Sequence, residues 1–303
     1  MDLNLTGRRA LVTGSSSGLG AAIAELLAAE GADVVVHGRD EARTREVAEK
    51  IGAVAAAIGD LATDEGADAV ARVAGEVDVL VNNAGSYEHV GWAEATAAEW
   101  LRTYEVNVVS GVRMIQRLVP GMRERGWGRV IQIGGGLASQ PIAMQPHYNA
   151  SLAARHNLAV SLARELKATG VTSNVVSPGA ILVDAVQDLI TGLAPERGWG
   201  RSWPEIERNA ARDFVPNDIG RFGRPGEIAG AVAYLASPYA DYISGATIRV
   251  DGGTSPRSRP GSARWRDPGD GRGLTDRDGN AMLPAMTTDS SSRLGDPSAQ
   301  GEC

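Results

Sequence analysis

Short apolar runs rich in β-branched residues recur along this chain, each separated from the next by a longer helix-forming stretch. Residues 8–13 (Arg-Arg-Ala-Leu-Val-Thr) read as a buried strand leading into a glycine-rich turn. Residues 21–30 are good helix formers stopped by Gly31, and 34–36 are three valines in a second strand. Residues 77–81, 130–133 and 172–176 continue the series with helical segments between them. Strand and helix alternating at this spacing predict βαβ units, and so an α/β fold: a single doubly wound parallel sheet with helices on both faces.

The pattern ends near residues 247–253. From Ser255 onward Gly, Pro and Ser dominate and apolar periodicity is lost, a composition that cannot bury enough surface to offset its ordering entropy. The expected organisation is therefore one domain over residues 1–254 and a disordered tail over 255–303. The net charge of −7 argues against nucleic acid or an anionic membrane as the main partner. With no run of eighteen apolar residues and no basic-then-apolar start, the expectation is a cytoplasmic protein without a membrane partner. The single cysteine, Cys303, allows no intrachain disulfide, and no metal site is expected.

The first candidate site is Thr13-Gly14-Ser15-Ser16-Ser17-Gly18-Leu19-Gly20, placed after a strand and opening a helix. Glycines there permit a tight turn and close approach of backbone to a pyrophosphate at the helix N-terminus. The next strand ends in His37-Gly38-Arg39-Asp40. Gly38 stands where an acidic residue would accept from a ribose 2′-hydroxyl, and Arg39 suits a 2′-phosphate. NADP(H) is the favoured cofactor, with Asp40 keeping NAD(H) as the alternative.

Together with Asn82-Asn83-Ala84-Gly85, Tyr104-Glu105-Val106-Asn107, Tyr148-Asn149-Ala150-Ser151-Leu152, Pro178-Gly179, Arg224-Pro225-Gly226-Glu227-Ile228-Ala229 and Val250-Asp251-Gly252-Gly253, this turn makes the chain resemble a short-chain dehydrogenase/reductase over about residues 5–254. The resemblance implies a Rossmann-type sheet and an oxidoreductase acting on a small molecule. It implies cofactor contacts from Gly14, Ser16, Ser17, Gly18, Leu19, Gly20, Arg39, Asp60, Leu61, Asn83, Ala84, Gly85, Pro178, Gly179 and Ile181. It further implies Tyr148 as the proton-transferring group, Asn107 as the holder of a relay water, and a homotetramer or homodimer. Two positions depart from the family pattern: Leu152 stands where the family has lysine, and Gly135 where it has serine. Val183 stands where a threonine is common.

These departures separate the two directions of reaction. A free tyrosine has a pKa of about 10, so alcohol oxidation, which needs a tyrosinate base, suffers without the lysine. Carbonyl reduction needs only a neutral tyrosine that gives up its proton. The leading expectation is therefore an NADPH-dependent reductase of a carbonyl or enone. The alternatives are a nucleotide-binding sensor or scaffold without turnover, and an enzyme of non-redox cyclisation or dehydration. Three residues are candidates for compensation: Arg155, seven residues after Tyr148 and so on nearly the same helical face; Ser139, a shifted hydroxyl; and His147, an acid near neutral pH. Residues 184–218 are expected as a long substrate loop, in which Trp199, Trp203 and Phe214 either meet a bulky substrate or pack the loop down. Tyr87, His89 and Trp92 are candidates for the same pocket.

Overall fold

The computed structural model describes residues 2–88 and 90–254; the expected tail, residues 255–303, lies outside the described residues, as does His89. Seven parallel strands form one sheet: β1 (Arg9–Val12), β2 (Asp33–Gly38), β3 (Ala55–Ile58), β4 (Val79–Asn82), β5 (Gly128–Ile133), β6 (Val171–Pro178) and β7 (Thr247–Val250). Their order across the sheet is β3-β2-β1-β4-β5-β6-β7. The doubly wound α/β architecture expected from the strand spacing is therefore the one observed.

Alternation within each strand divides the core between the two faces. Ala10 and Val12 of β1, Val34 and Val36 of β2, Val79 and Val81 of β4, and Ile131 and Ile133 of β5 pack on one face. They meet α1 (Gly18–Ala29) through Ile23, Ala24 and Leu27, and α9 (Pro225–Ala236) through Ile228, Val232 and Leu235. The residues between them, Leu11, Val35, Leu80 and Val130, pack on the other face against α3 (Asp64–Ala74) and α5 (Ser110–Glu124). Such near-continuous apolar strands need both faces covered, which is why the apolar runs carry no polar alternation.

The remaining helices position the site. α2 (Glu41–Ile51) follows β2, and α4 (Ala97–Tyr104) runs into a π-helical turn, Glu105–Val109, before α5. α6 (Pro146–Glu165) packs on the loop after β5. The strand order reverses between β1 and β4, and the crevice at the carboxyl ends of those strands is where ligands bind in open α/β sheets.

The segment expected as a long loop is instead mostly helical. Residues 184–218 hold α7 (Asp184–Arg197) and α8 (Trp203–Asp213). Gly198, in the left-handed conformation, ends α7, and Glu205 reaches back to the Ser202 hydroxyl (3.0 Å) and backbone N–H (3.3 Å) at the start of α8. Ile190, Trp199, Ile206 and Phe222 give the pair its own small core.

Candidate active site

The turn after β1 is built for close backbone approach. A Cβ at Gly14 would lie 2.9 Å from the Ala84 Cα, and a Cβ at Gly20 would overlap the Gly14 carbonyl oxygen. Gly18 has φ +55°, a left-handed conformation that other residues adopt only with strain. Ser17 precedes α1 without capping it by its side chain, so the first N–H groups of the helix stay directed at the turn. This is a cradle for a pyrophosphate that any larger residue would fill.

Two hidden networks hold the cradle. The Thr13 hydroxyl accepts from the backbone N–H groups of Asn83 and Ala84, both at 3.0 Å, while Asn83 Nδ2 donates to the carbonyls of Thr13 (3.0 Å) and Gly14 (3.1 Å). The ends of β1 and β4 are thereby tied together. On the other side, the Gly14 N–H donates to His37 Nδ1 at 2.9 Å, which leaves the imidazole proton on Nε2 to reach the Gly59 carbonyl at 3.1 Å. Burial lowers the His37 pKa to about 4, so the ring is a neutral pin between three strand ends. Sequence reasoning passed over His37 because a histidine ending a strand carries no motif.

The end of β2 also separates the two acidic or basic readers. Gly38 is buried, and a Cβ there would lie 2.8 Å from Ser16 Oγ and overlap the Thr44 hydroxyl, so no acidic side chain fits at that position. Asp40 is engaged as the N-cap of α2, accepting from the Arg43 N–H at 3.0 Å. Arg39 is exposed and has no ion-pair partner among the described residues.

The other expected cofactor residues ring the same crevice or brace it. Asp60 is exposed and accepts from the Ala62 N–H, and Leu61 is buried with its carbonyl held by Arg113 Nη1 at 3.3 Å. Leu19 and Ile181 are half-buried against the core, and Ile181 pairs with Gly223. Gly179 donates to the Val250 carbonyl at 3.1 Å, and a Cβ there would lie 2.9 Å from the Asp251 Cα. Val183 reaches across to the turn, its Cγ1 3.9 Å from where a Gly18 Cβ would be.

Tyr148 stands in the first turn of α6, three residues after the N-cap Gln145, which adopts φ +57° as a non-glycine residue. Asn149 holds that bend, its Nδ2 donating to the carbonyls of Ile142 (2.7 Å) and Met144 (3.1 Å). Local strain of this kind persists only where the surroundings over-determine it. The Tyr148 ring lies 6.2 Å from that of Tyr87. Its hydroxyl makes no hydrogen bond among the described residues, and burial pushes the phenol above its ordinary pKa while the charge of Arg155 opposes that shift.

Asn107 lies in the π-helical turn, a departure from α geometry that is common at functional sites. Its Oδ1 accepts from the Ser86 N–H (2.7 Å), and its Nδ2 donates to the Ser86 carbonyl (2.9 Å) and to Ser151 Oγ (3.0 Å). Ser151 in turn donates to the Tyr148 carbonyl at 2.8 Å. Arg155 completes the cluster: Nη1 donates to the Ile133 carbonyl at 2.7 Å, Nε to that of Asn107, and Nη2 to that of Ala84.

The Gly134-Gly135-Gly136 run is a seat for α6. A Cβ at Gly134 would overlap His156 Nε2, and one at Gly135 would lie 2.9 Å from Leu152 Cδ1. Leu152 and His156 are one helical turn apart and face the same loop, so bare glycine backbone lets α6 settle onto β5. Gly135 and Leu152 are therefore one packing unit rather than two independent positions.

A protein-family model described as "short chain dehydrogenase" matches residues 8–193 of this chain. An uncharacterised oxidoreductase of Bacillus subtilis, YvaG, is 39% identical over 260 residues, covering 84% of this chain and 98% of that protein. The chain belongs to the short-chain dehydrogenase family. The 3-oxoacyl-[acyl-carrier-protein] reductase FabG of Vibrio cholerae is 36% identical over 83% of this chain and 98% of its own length. The crystal structure of L-sorbose reductase from Gluconobacter frateurii complexed with NADPH and L-sorbose superposes with a TM-score of 0.77, at 36% identity over 84% of this chain and 98% of that one. This short-chain dehydrogenase thus stands among oxidoreductases that include reductases.

The candidate residues for compensation part company in the structure. Arg155 joins the Asn107 cluster. Ser139 is exposed, with its hydroxyl turned back onto the Gly136 carbonyl at 3.1 Å. His147 is 1% exposed and packs against the Trp100 ring at 6.1 Å; adjacent helical residues point about 100° apart. Trp199 is buried and donates to Asp213 at 3.2 Å, so it packs α7 and α8 together, and Trp203 leans on the same core. Tyr87 and Trp92 remain exposed near the mouth. No helix of the described residues is long and apolar enough to cross a membrane, and no group of metal-ligating side chains is found among them.

Proposed function

We propose that this short-chain dehydrogenase is an NADPH-dependent reductase of a carbonyl, or of an enone, on a bulky small molecule, with Tyr148 as proton donor. The observation that carries this reading is the phenol of Tyr148: its hydroxyl makes no hydrogen bond among the described residues, and its burial favours the protonated form. A neutral phenol is an acid, and reduction needs an acid where oxidation needs a base.

The residues of the crevice fit NADP(H). Gly14, Gly18 and Gly20 leave room for pyrophosphate against backbone, and Ser16, Ser17 and Leu19 line the same turn. Ser16 and Arg39 border a position where an acidic residue has no space, which favours a 2′-phosphate over a bare 2′-hydroxyl. Asp60 and Leu61 serve the adenine side; Asn83, Ala84, Gly85, Pro178, Gly179 and Ile181 serve the nicotinamide side. When bound, the cofactor supplies the hydride that converts the carbonyl carbon to an alcohol carbon. The protein's part is to move a proton from Tyr148 to the carbonyl oxygen, to hold the ends of β4 and β5 through Asn107 and Arg155, and to cover the substrate with α7 and α8. In this reading Gly135 and Leu152 replace the serine and lysine of the family pattern, and no side-chain hydroxyl orients the substrate from position 135. The likeness to an L-sorbose reductase and to a 3-oxoacyl-[acyl-carrier-protein] reductase supports a carbonyl substrate. A cytoplasmic location and a homodimer or homotetramer belong to the same proposal.

The test is a tryptophan-fluorescence titration with NADPH and NADH, on the wild type and on Arg39→Ala, followed by a carbonyl screen. Tighter binding of NADPH than NADH, with the preference reduced about tenfold or more in Arg39→Ala, is the expected result; a lost charged contact of about 1.5–3 kcal/mol corresponds to that range. Tight nucleotide binding without reduction of any carbonyl, or equal binding of both forms, counts against it.

A further inference from the structure

Two arginines are buried among the described residues, and they differ in what balances their charge. Arg129 pairs with Asp241 and lies over the Trp127 ring at 4.2 Å. Arg155 has no carboxylate partner among the described residues; its three donor nitrogens end on the carbonyls of Asn107, Ile133 and Ala84. Hydrogen bonding is satisfied there, but a full positive charge stays in the interior without a counter-charge, an arrangement that is unfavourable by itself. The three carbonyls belong to the π-helical turn, the end of β5 and the segment after β4, so the guanidinium sits where the walls of the site meet. A long side chain on a helix leans toward the helix N-terminus, which carries the charge of Arg155 back along α6 toward Tyr148. Nη2 would be 3.4 Å from a Cβ at Gly85, so the charge lies directly beneath the floor of the crevice.

We propose that Arg155 is the resident cation of the catalytic centre: a positioning residue that fastens the walls around Tyr148 and supplies the counter-charge as negative charge builds on the phenol oxygen. This rests on the reading of Tyr148 as proton donor. As the proton passes from the phenol to the substrate oxygen, the phenolate left behind is opposite in sign to Arg155, and a proton from solvent restores it afterwards. The groups that bear on Tyr148 are few. Arg155 favours the phenolate, and Tyr87 and burial disfavour it. On α4, Glu99 is held by Thr96 at 2.6 Å, and Glu105 in the π-helical turn pairs with Arg113 at 2.5 Å. On α6 itself, His147 faces Trp100 and His156 faces Gly134. The coupling is mutual, since Tyr148 acts to raise the pKa of Arg155, which burial lowers to about 10.

The test reads the Tyr148 phenol directly, without substrate or nucleotide. Tyrosinate absorbance is followed against pH in the wild type, Arg155→Met and Arg155→Lys, each minus its Tyr148→Phe counterpart. The expected result is an upward shift of the Tyr148 midpoint by about one to three pH units in Arg155→Met and little shift in Arg155→Lys, although lysine forfeits most of the carbonyl bonds and lowers Tm. If Arg155→Met does not fold, Arg155→Gln, a neutral donor, takes its place with the same expectation. An unmoved midpoint in the neutral variant, or equal shifts in the neutral and lysine variants, overturns the proposal and leaves Arg155 as a packing brace. Reduction that survives Tyr148→Phe overturns the proton-donor reading instead, while the absorbance midpoint still reports on Arg155.

Discussion

The turn after β1 and the helix α6 that carries Tyr148 lie at the same edge of the sheet but are made of different material. At the turn, function resides in backbone: close approach at Gly14 and Gly20, free N–H groups at the start of α1, and carbonyls tied by Asn83. On α6 the proposed site is made of side chains that the rest of the protein seats: Leu152 and His156 on bare glycine, Arg155 on three carbonyls, Tyr148 buried beside Tyr87. A backbone device tolerates one residue type at each position. A side-chain device can be rebuilt from neighbouring positions, and in the proposal above Arg155 supplies the positive charge of the site.

Substitutions can break this contrast, the strongest first. Tyr148→Phe removes the acid and leaves the turn untouched, so carbonyl reduction is expected to fall about 10²- to 10⁴-fold with nucleotide affinity unchanged; a loss of affinity of the same size would show that the two regions are not separable. The second probe is pH. His37 titrates near 6.5 when unfolded and at about 4 in the folded protein, so the unfolded chain binds more protons between those values. The stability it contributes is complete above about pH 6.5 and is lost as pH falls toward 4, in total about 3 kcal/mol. Denaturant melts from pH 7 to 4 should show this slope, and His37→Asn should flatten it while loosening the Gly14 turn; an unchanged slope removes His37 from the argument. The third probe separates the two glycines beneath α6. Gly135→Ser is expected to cost about 1–3 kcal/mol by crowding the Leu152 methyl, and Leu152→Ala should relieve part of it, with a coupling of about 0.5–3 kcal/mol in the double-mutant cycle. Gly134→Ala meets the stiffer His156 ring and should cost at least as much; strict additivity of the Gly135 and Leu152 changes would mean they do not form one packing unit.

The legibility of the chain follows the same divide. The doubly wound sheet, both covered faces and the glycine-rich turn could be read from apolar runs and glycine spacing, because parallel strands buried on two sides admit few other patterns, whereas the alanine-rich β3 was not among the strands read and the strand order came from the structure. The segment 184–218 was read too loosely: Gly, Pro and scattered aromatics there resemble a loop, yet an end cap at Gly198 and the Ser202–Glu205 pair produce two helices whose tryptophan packs inward. His37 was missed, since its role depends on Gly14 and Gly59, each more than twenty residues away. Asp40 looked like a ribose reader and proved to be a helix cap, a distinction made by one local hydrogen bond.

The sequence by itself determined the doubly wound sheet, its two-sided core and the glycine-rich turn after β1. Only the tertiary structure decided how the residues around Tyr148 meet: that Gly135 and Leu152 fill one another's space, that Ser139 bonds back to its own loop, that His147 packs against Trp100, and that Arg155 is a buried charge held by carbonyls alone. The physical reason is range. Backbone geometry and strand burial are encoded within a few residues, whereas the balance of a buried charge depends on carbonyls and carboxylates brought together from distant parts of the chain.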